Sequence, residues 1–120
     1  MVMTGHLALV AEDDTSMLAI YQHVLDIAGF DVLVAQDGAV AIELLGQNSP
    51  DIAFIDIRLP LIDGLEILDY IHNSPHLDNM RVIVISADKN AEQFTRHLSR
   101  VEFLLKPVYP AAIRDLIMAM

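Results

Sequence analysis

Five short apolar runs recur along the chain: HLALVA at 6–11, DVLVA at 31–35, DIAFID at 51–56, VIVIS at 82–86 and EFLL at 102–105. They are rich in Val, Ile, Leu and Phe and mostly do not alternate with polar residues. Strands covered by helices on both faces have this pattern, and parallel sheets are built of them. The segments between the runs carry helical spacing instead. Leu18, Tyr21, Leu25 and Ala28 fall on one stripe, and Gly29 supplies a stop. Asp37 is placed to cap a second helix with Ala41, Leu44 and Leu45 facing inward. Leu65, Leu68, Ile71 and His72 predict a third helix, ended before Pro75. Residues 91–98 predict a weak, polar fourth. Pro110 suits the first turn of a fifth, with Ile113, Leu116 and Ile117 on its inner face. This alternation implies right-handed crossovers and a doubly wound α/β fold, (βα)5, around a five-stranded parallel sheet. No internal repeat or linker interrupts it, so a single domain over 1–120 is expected.

Composition narrows the classes. Seven Lys and Arg against 17 Asp and Glu leave a formal charge of -10. The few cations are scattered, which argues against a nucleic-acid surface. Acidity of this size serves solubility, a cation-seeking pocket, or both. An apolar content of 54% argues against disorder. The absence of Cys excludes disulfides and thiolate zinc sites. The N-terminus, MVMTGHLALVAEDD, lacks a basic region, and no apolar run approaches the ~18 residues of a membrane span. A soluble, cytoplasmic protein without membrane contact is expected.

Ligands of open α/β sheets bind outside the carboxyl ends of the strands. The first run ends in Glu12-Asp13-Asp14, the second near Gln36-Asp37, the third in Asp56, the fourth in Ser86-Ala87 and the fifth in Lys106-Pro107. Taken singly, each has a plain structural use: a helix start, a turn cap, a loop hydroxyl, a surface charge. Their coincidence at one edge is what those uses leave unexplained. Carboxylates gathered in a partly apolar crevice repel one another and resist ionisation. A divalent metal removes the conflict, and hard carboxylate oxygens suit Mg²⁺.

The set ALVAEDD, FIDIRLPLIDG, VIVISA and FLLKP, in this order and spacing, resembles the receiver domain of two-component response regulators. The resemblance spans essentially the whole chain and implies a flavodoxin-like sheet of strand order 2-1-3-4-5. It implies that Asp56 is the phosphoacceptor, attacking a phosphohistidine on a partner histidine kinase or phosphotransfer protein. Glu12 and Asp13 would hold Mg²⁺ with Asp56 and the Arg58 backbone carbonyl. Ser86 stands at the hydroxyl position beside the phosphoryl group, Lys106 at that of the phosphate-pairing lysine, and Phe103 at that of the aromatic switch. The Lys106-Pro107 bond is expected to be cis. Signalling would pass to an output domain or downstream protein, with a homodimer through the last two strands and helices as a further expectation. The segment after Lys106-Pro107 is too short for an output domain, leaving a stand-alone receiver or a piece of a longer regulator.

Some positions depart from that pattern. RHLSRVEF stands where relatives carry a Gly-Ala pair, and the interval from Ser86 to Lys106 is short, so a shortened or irregular fourth helix is expected. Arg58 and Asp88 each lie two residues past a site residue, and an ion pair between them across the pocket mouth is one reading. Two solvated charges is the other. His72 and His76 have i, i+4 spacing, but Pro75 breaks the helix that a metal pair would need. No Gly-rich phosphate loop is present, so nucleotide binding is not expected.

Three rivals remain. A haloacid dehalogenase-type phosphatase would carry a second Asp where Arg58 stands. A flavodoxin-like electron carrier would meet its cofactor phosphate with the repelling Glu12-Asp13-Asp14. A receiver used only for docking would not need the full set of Glu12, Asp13, Asp56, Ser86 and Lys106.

Overall fold

The central strand, β3 (Ile52–Asp56), is buried at every residue, as its unbroken apolar run predicts. It lies between β1 (Leu7–Ala11) and β4 (Arg81–Ser86), with β2 (Asp31–Ala35) and β5 (Val101–Leu105) at the edges. All pairings are parallel, and the order is β2-β1-β3-β4-β5. The structure is a computed structural model that describes residues 5–96, 98 and 100–120.

Among the described residues the α-helices are α1 (Thr15–Ile27), α2 (Gly38–Gln47), α3 (Gly64–His72) and α4 (Pro110–Met118). Strand alternation divides the core in two. Leu9, Ala11, Ala53, Ile55, Val82 and Val84 pack with the buried residues of α2 and α3. Ala8, Val10, Ile52, Phe54, Ile83 and Ile85 pack with those of α1 and α4.

Helix ends follow the side chains that close them. The Asp14 carboxylate accepts from the amides of Ser16 at 2.8 Å and Met17 at 3.3 Å. Asp37 caps α2 through the Val40 amide and Asp63 caps α3 through the Glu66 amide. Such caps contribute about 1 kcal/mol each. The stop at Gly29 is a left-handed turn with φ +90. There the Phe30 amide donates to the Leu25 carbonyl and the Gly29 amide to that of Asp26, each at 3.0 Å. That is a Schellman closure, and the buried Leu25 and Phe30 side chains join the same core cluster.

The fourth helix is short and irregular, as expected, but it does not span 91–98. It is a 3₁₀-helix, Lys89–Phe94, with only Ala91 buried. Its polar sequence offers no apolar stripe, and short helices depend on tertiary packing. His97, within the predicted segment, and Ser99 lie outside the described residues. Of the four residues whose spacing predicts α3, Leu68 and Ile71 are buried together with Ile67, while Leu65 and His72 are exposed. The cause is Gly64 at the start of the helix. A Cβ there would lie 2.6 Å from Ile57 Cα and 2.7 Å from the Asp56 carbonyl oxygen. The first turn therefore presses against the end of β3 and sets the phase of the remaining turns of α3.

Candidate functional site

The sheet ladder continues past the ends of β1, β3 and β5. The Glu12 amide donates to the Ala35 carbonyl at 2.9 Å, that of Ile57 to Ile85 at 3.0 Å and that of Lys106 to Ser86 at 2.8 Å. Regular alternation then assigns Glu12, Asp56 and Lys106 to the α1/α4 face, following Val10, Phe54 and Leu104. Three of the predicted residues thus rise from the ends of β1, β3 and β5 on one side of the sheet.

Glu12 and Asp56 are buried, at 1% and 3% exposure, whereas Asp13 is exposed. One oxygen from each of the three carboxylates lies within 4.8 Å of the others. Lys106 Nζ is 2.6 Å from Asp56 Oδ2 and 3.8 Å from Glu12 Oε1. Asp56 Oδ1 accepts the Arg58 amide at 2.9 Å. Glu12 Oε2 accepts the Asp14 amide at 3.2 Å, but Glu12 Oε1 is buried without a hydrogen-bond partner among the described residues.

Burial pushes the Glu12 carboxyl up to about 7, with the charge and hydrogen bond of Asp56 adding to it and the Asp14 amide and Lys106 opposing it. Burial alone would lower the Lys106 ammonium. The hydrogen bond to Asp56 and the charges of Asp56, Glu12 and Asp13 outweigh it and raise the group above its ordinary value. One ammonium thus serves three carboxylates, and a buried oxygen is left over. Hard oxygen donors with that deficit of positive charge fit a divalent cation such as Mg²⁺.

The loop after β3 holds this geometry in place. The Gly64 amide donates to the Ile57 carbonyl at 2.8 Å, and the Gly38 amide to that of Pro60 at 3.1 Å. Asp63-Gly64 and Pro60 are therefore supports. The Lys106-Pro107 bond is cis, as expected.

Ser86 and Phe103 sit differently. Ser86 is buried and follows Ile85, the register partner of Asp56. Its hydroxyl accepts the Asp88 amide at 3.0 Å. Among the described residues no side-chain hydrogen bond joins Ser86 to the acids or Lys106. Phe103 is half-buried, pairs with Val84 and packs on the α2/α3 side. Ser86 follows Val82 and Val84 in the alternation, so it shares that side with Phe103. The Arg58 side chain is exposed, and among the described residues no ion pair joins it to Asp88. The Asp88 carboxylate instead accepts the Asn90 amide at 2.9 Å, capping the 3₁₀-helix. His76 bonds the Leu45 carbonyl at 2.7 Å rather than forming a metal pair with His72.

Two features escaped the sequence. The Arg81 guanidinium grips the Glu102 carboxylate through Nε and Nη2, the latter bond at 2.8 Å, and reaches the Leu116 carbonyl with Nη1. It ties β4 and β5 to α4. Only the strand pairing reveals it, because Arg81 and Glu102 are far apart in the chain. Tyr21 is fully buried, and its hydroxyl has no hydrogen-bond partner among the described residues. Its place on an apolar stripe hid the polar end.

Residues 8–118 match the family described as response regulator receiver domain. The chain is 33% identical over 108 residues to the Regulator of RpoS of Escherichia coli, a match covering 88% of this chain and 32% of that protein. It therefore spans about a third of the length of that relative. Among solved structures, the chemotaxis response regulator CheY4 of Vibrio cholerae superposes with a TM-score of 0.87 at 20% identity, over 97% of this chain and 98% of that one. The Mn²⁺-bound form of response regulator Rcp1 superposes with a TM-score of 0.78 at 22% identity, over 95% and 90%. These likenesses agree in fold with the sheet order found here.

Proposed function

The chain belongs to the response regulator receiver domain family, and from that premise we propose that Asp56 accepts a phosphoryl group from a histidine kinase or phosphotransfer protein. The observation that carries this reading is the state of Asp56: a buried carboxylate ending the central strand, one oxygen tied to the Arg58 amide and the other to Lys106. A carboxylate so held attacks the phosphorus of a phosphohistidine. A P–O bond forms, the P–N bond breaks, the imidazole leaves with its electron pair, and an acyl phosphate results. The protein is then its own phosphorylation catalyst rather than a turnover enzyme.

Lys106 moves from the Asp56 carboxylate to an oxygen of the transferred group. Ser86 gives up the Asp88 amide and turns its hydroxyl toward the same group. Phe103, half-buried beside it, follows inward, and β4, β5 and the adjoining helices carry the change to an output domain, a downstream protein or a second copy of the chain. This is a population shift between two packings. Glu12, Asp13 and Asp56, with the Arg58 carbonyl, would hold Mg²⁺. When bound, that ion neutralises the crowded acids and the oxygens of the transferring group. One receiver domain occupies 1–120 in this reading, and its site of action is the cytoplasm. No helix among the described residues is long and apolar enough to cross a membrane.

The test is incubation with acetyl phosphate and Mg²⁺ followed by intact-mass analysis. Wild type should gain one phosphoryl group, and Asp56→Asn should gain none. Labelling that persists in Asp56→Asn, or that proceeds unchanged in EDTA, removes the acceptor or the metal from the account.

A further inference from the structure

Two buried side-chain atoms lack a hydrogen-bond partner among the described residues: Glu12 Oε1 and Tyr21 Oη. Unpaired buried polar atoms are rare in folded proteins, and an ordered water usually accounts for them. The two orphans belong to one neighbourhood. The Tyr21 ring lies against Phe54 with centroids 5.2 Å apart. Phe54 stands one pleat below Asp56 on the α1/α4 face, and its register partner Val10 stands one pleat below Glu12. Tyr21 thus occupies the layer beneath the two acids. The direction of α1 does the rest. The helix begins just past the carboxyl end of β1, and helical side chains lean toward the helix N-terminus. The phenol therefore leans toward the pocket.

We propose that Tyr21 is a positioning residue of the acidic pocket, its hydroxyl donating through one buried water to Glu12 Oε1. Burial, and then the charges of Glu12 and Asp56, hold the phenol un-ionised far above neutral pH, so it remains a donor. The role suits a carboxylate that must present its oxygens to a cation. Glu12 Oε2 takes the Asp14 amide, while Oε1 faces Lys106 Nζ at 3.8 Å, beyond hydrogen-bond reach, and a bridge from below fixes that second oxygen. Partners that orient metal ligands in this way commonly change metal affinity by about 10–100-fold. The metal part of the inference rests on the proposal that the three acids hold Mg²⁺; the water bridge does not.

The experiment has two arms. The first is a crystal structure of the metal-free wild-type protein at a resolution that shows ordered water. A water bonded to both Tyr21 Oη and Glu12 Oε1 is expected, and a dry gap between them overturns the proposal. The second is Mg²⁺ titration of wild type and Tyr21→Phe, followed by calorimetry and by the tyrosine ultraviolet difference spectrum. The chain has three tyrosines and no tryptophan, so the signal is readable. Mg²⁺ should perturb the tyrosine band in wild type. In Tyr21→Phe the perturbation should vanish while Tyr70 and Tyr109 remain, and affinity should fall about tenfold. Equal affinities with an undiminished spectral change overturn the positioning role. A wild type that binds no Mg²⁺ would instead sink the metal reading, leaving the bridge to stand or fall on the first arm.

Discussion

The centre of the sheet and its β5 edge are built from the same kind of apolar run, yet they end as different materials. Every residue of β3 is buried, and strands and helices cover it on all sides. No residue of β5 is fully buried, and Leu105 at its end is exposed. Among the described residues the crossover into β5 carries a 3₁₀-helix with an exposed Phe94 and no α-helix, where each other crossover carries an α-helix. The proposed acceptor, Asp56, ends the first region, and Phe103 of the proposed relay sits on the second, with Ser86 at the adjoining end of β4. A nucleophile gains from being held still. A relay gains from an element whose alternative packings are close in energy.

The largest test of that contrast is in stability. Phe54→Ala should cost about 3–5 kcal/mol in urea unfolding, the usual range for a fully buried aromatic. Phe94→Ala, at a half-exposed position, should stay within about 0.5 kcal/mol. Similar losses at both positions would end the distinction between a rigid centre and a loose edge.

A second effect belongs to the centre alone. Burial pushes the Glu12 carboxyl up to about 7, above its ordinary 4.5. The raised value means its neutral form favours the fold below pH 4.5, and that contribution is lost as pH rises through 7. Mg²⁺ must displace the proton, so its affinity should climb up to about tenfold per pH unit through this window and level off above it. Calorimetric titrations at several pH values check this, and Glu12→Gln should weaken binding and remove that part of the slope. A wild-type affinity that is flat from about pH 5 to 7 would contradict the assigned burial.

Lys106→Met removes the cation that serves the three acids. A loss of about 1–2 kcal/mol is expected, allowing for solvent at its partly exposed ammonium. Added Mg²⁺ should recover part of the loss in thermal melts. A variant as stable as wild type without metal would mean that the ion pairs contribute little.

The smallest effect sharpens the edge. Ser86→Ala frees the Asp88 amide, and the expected cost is about 0.5–1 kcal/mol. Amide exchange at residues 88–94 should quicken while β3 keeps its protection. Quickening throughout the sheet, β3 included, would show that Ser86 is part of the rigid centre instead.

What could be read from the sequence divides along the same line. The ends of β1 and β3 were legible because unbroken apolar runs stop abruptly at Glu12 and Asp56, and burial exaggerates the contrast. The cap Asp37 and the Gly29 stop were legible because their chemistry is local. The phase of α3 was not, because it depends on how closely Gly64 approaches Ile57. The 3₁₀ crossover showed as weak periodicity over 91–98 and as the short interval from Ser86 to Lys106, which marked a shortened or irregular helix but not its type. The Arg81 grip on Glu102 needs the register of β4 on β5, which no local pattern carries. The absence of an Arg58–Asp88 pair among the described residues turns on Asp88 capping its own helix, a competing use that spacing alone does not rank.

The central claim is that the chemistry resides in Asp56, and site mapping of the acyl phosphate tests it most directly. The protein is phosphorylated with acetyl phosphate and Mg²⁺, reduced with borohydride, digested and sequenced by mass spectrometry. Reduction converts an aspartyl phosphate to homoserine and leaves free aspartates unchanged. The account predicts the modified residue at position 56 and nowhere else. Homoserine at position 13 or 14 with position 56 intact would contradict it.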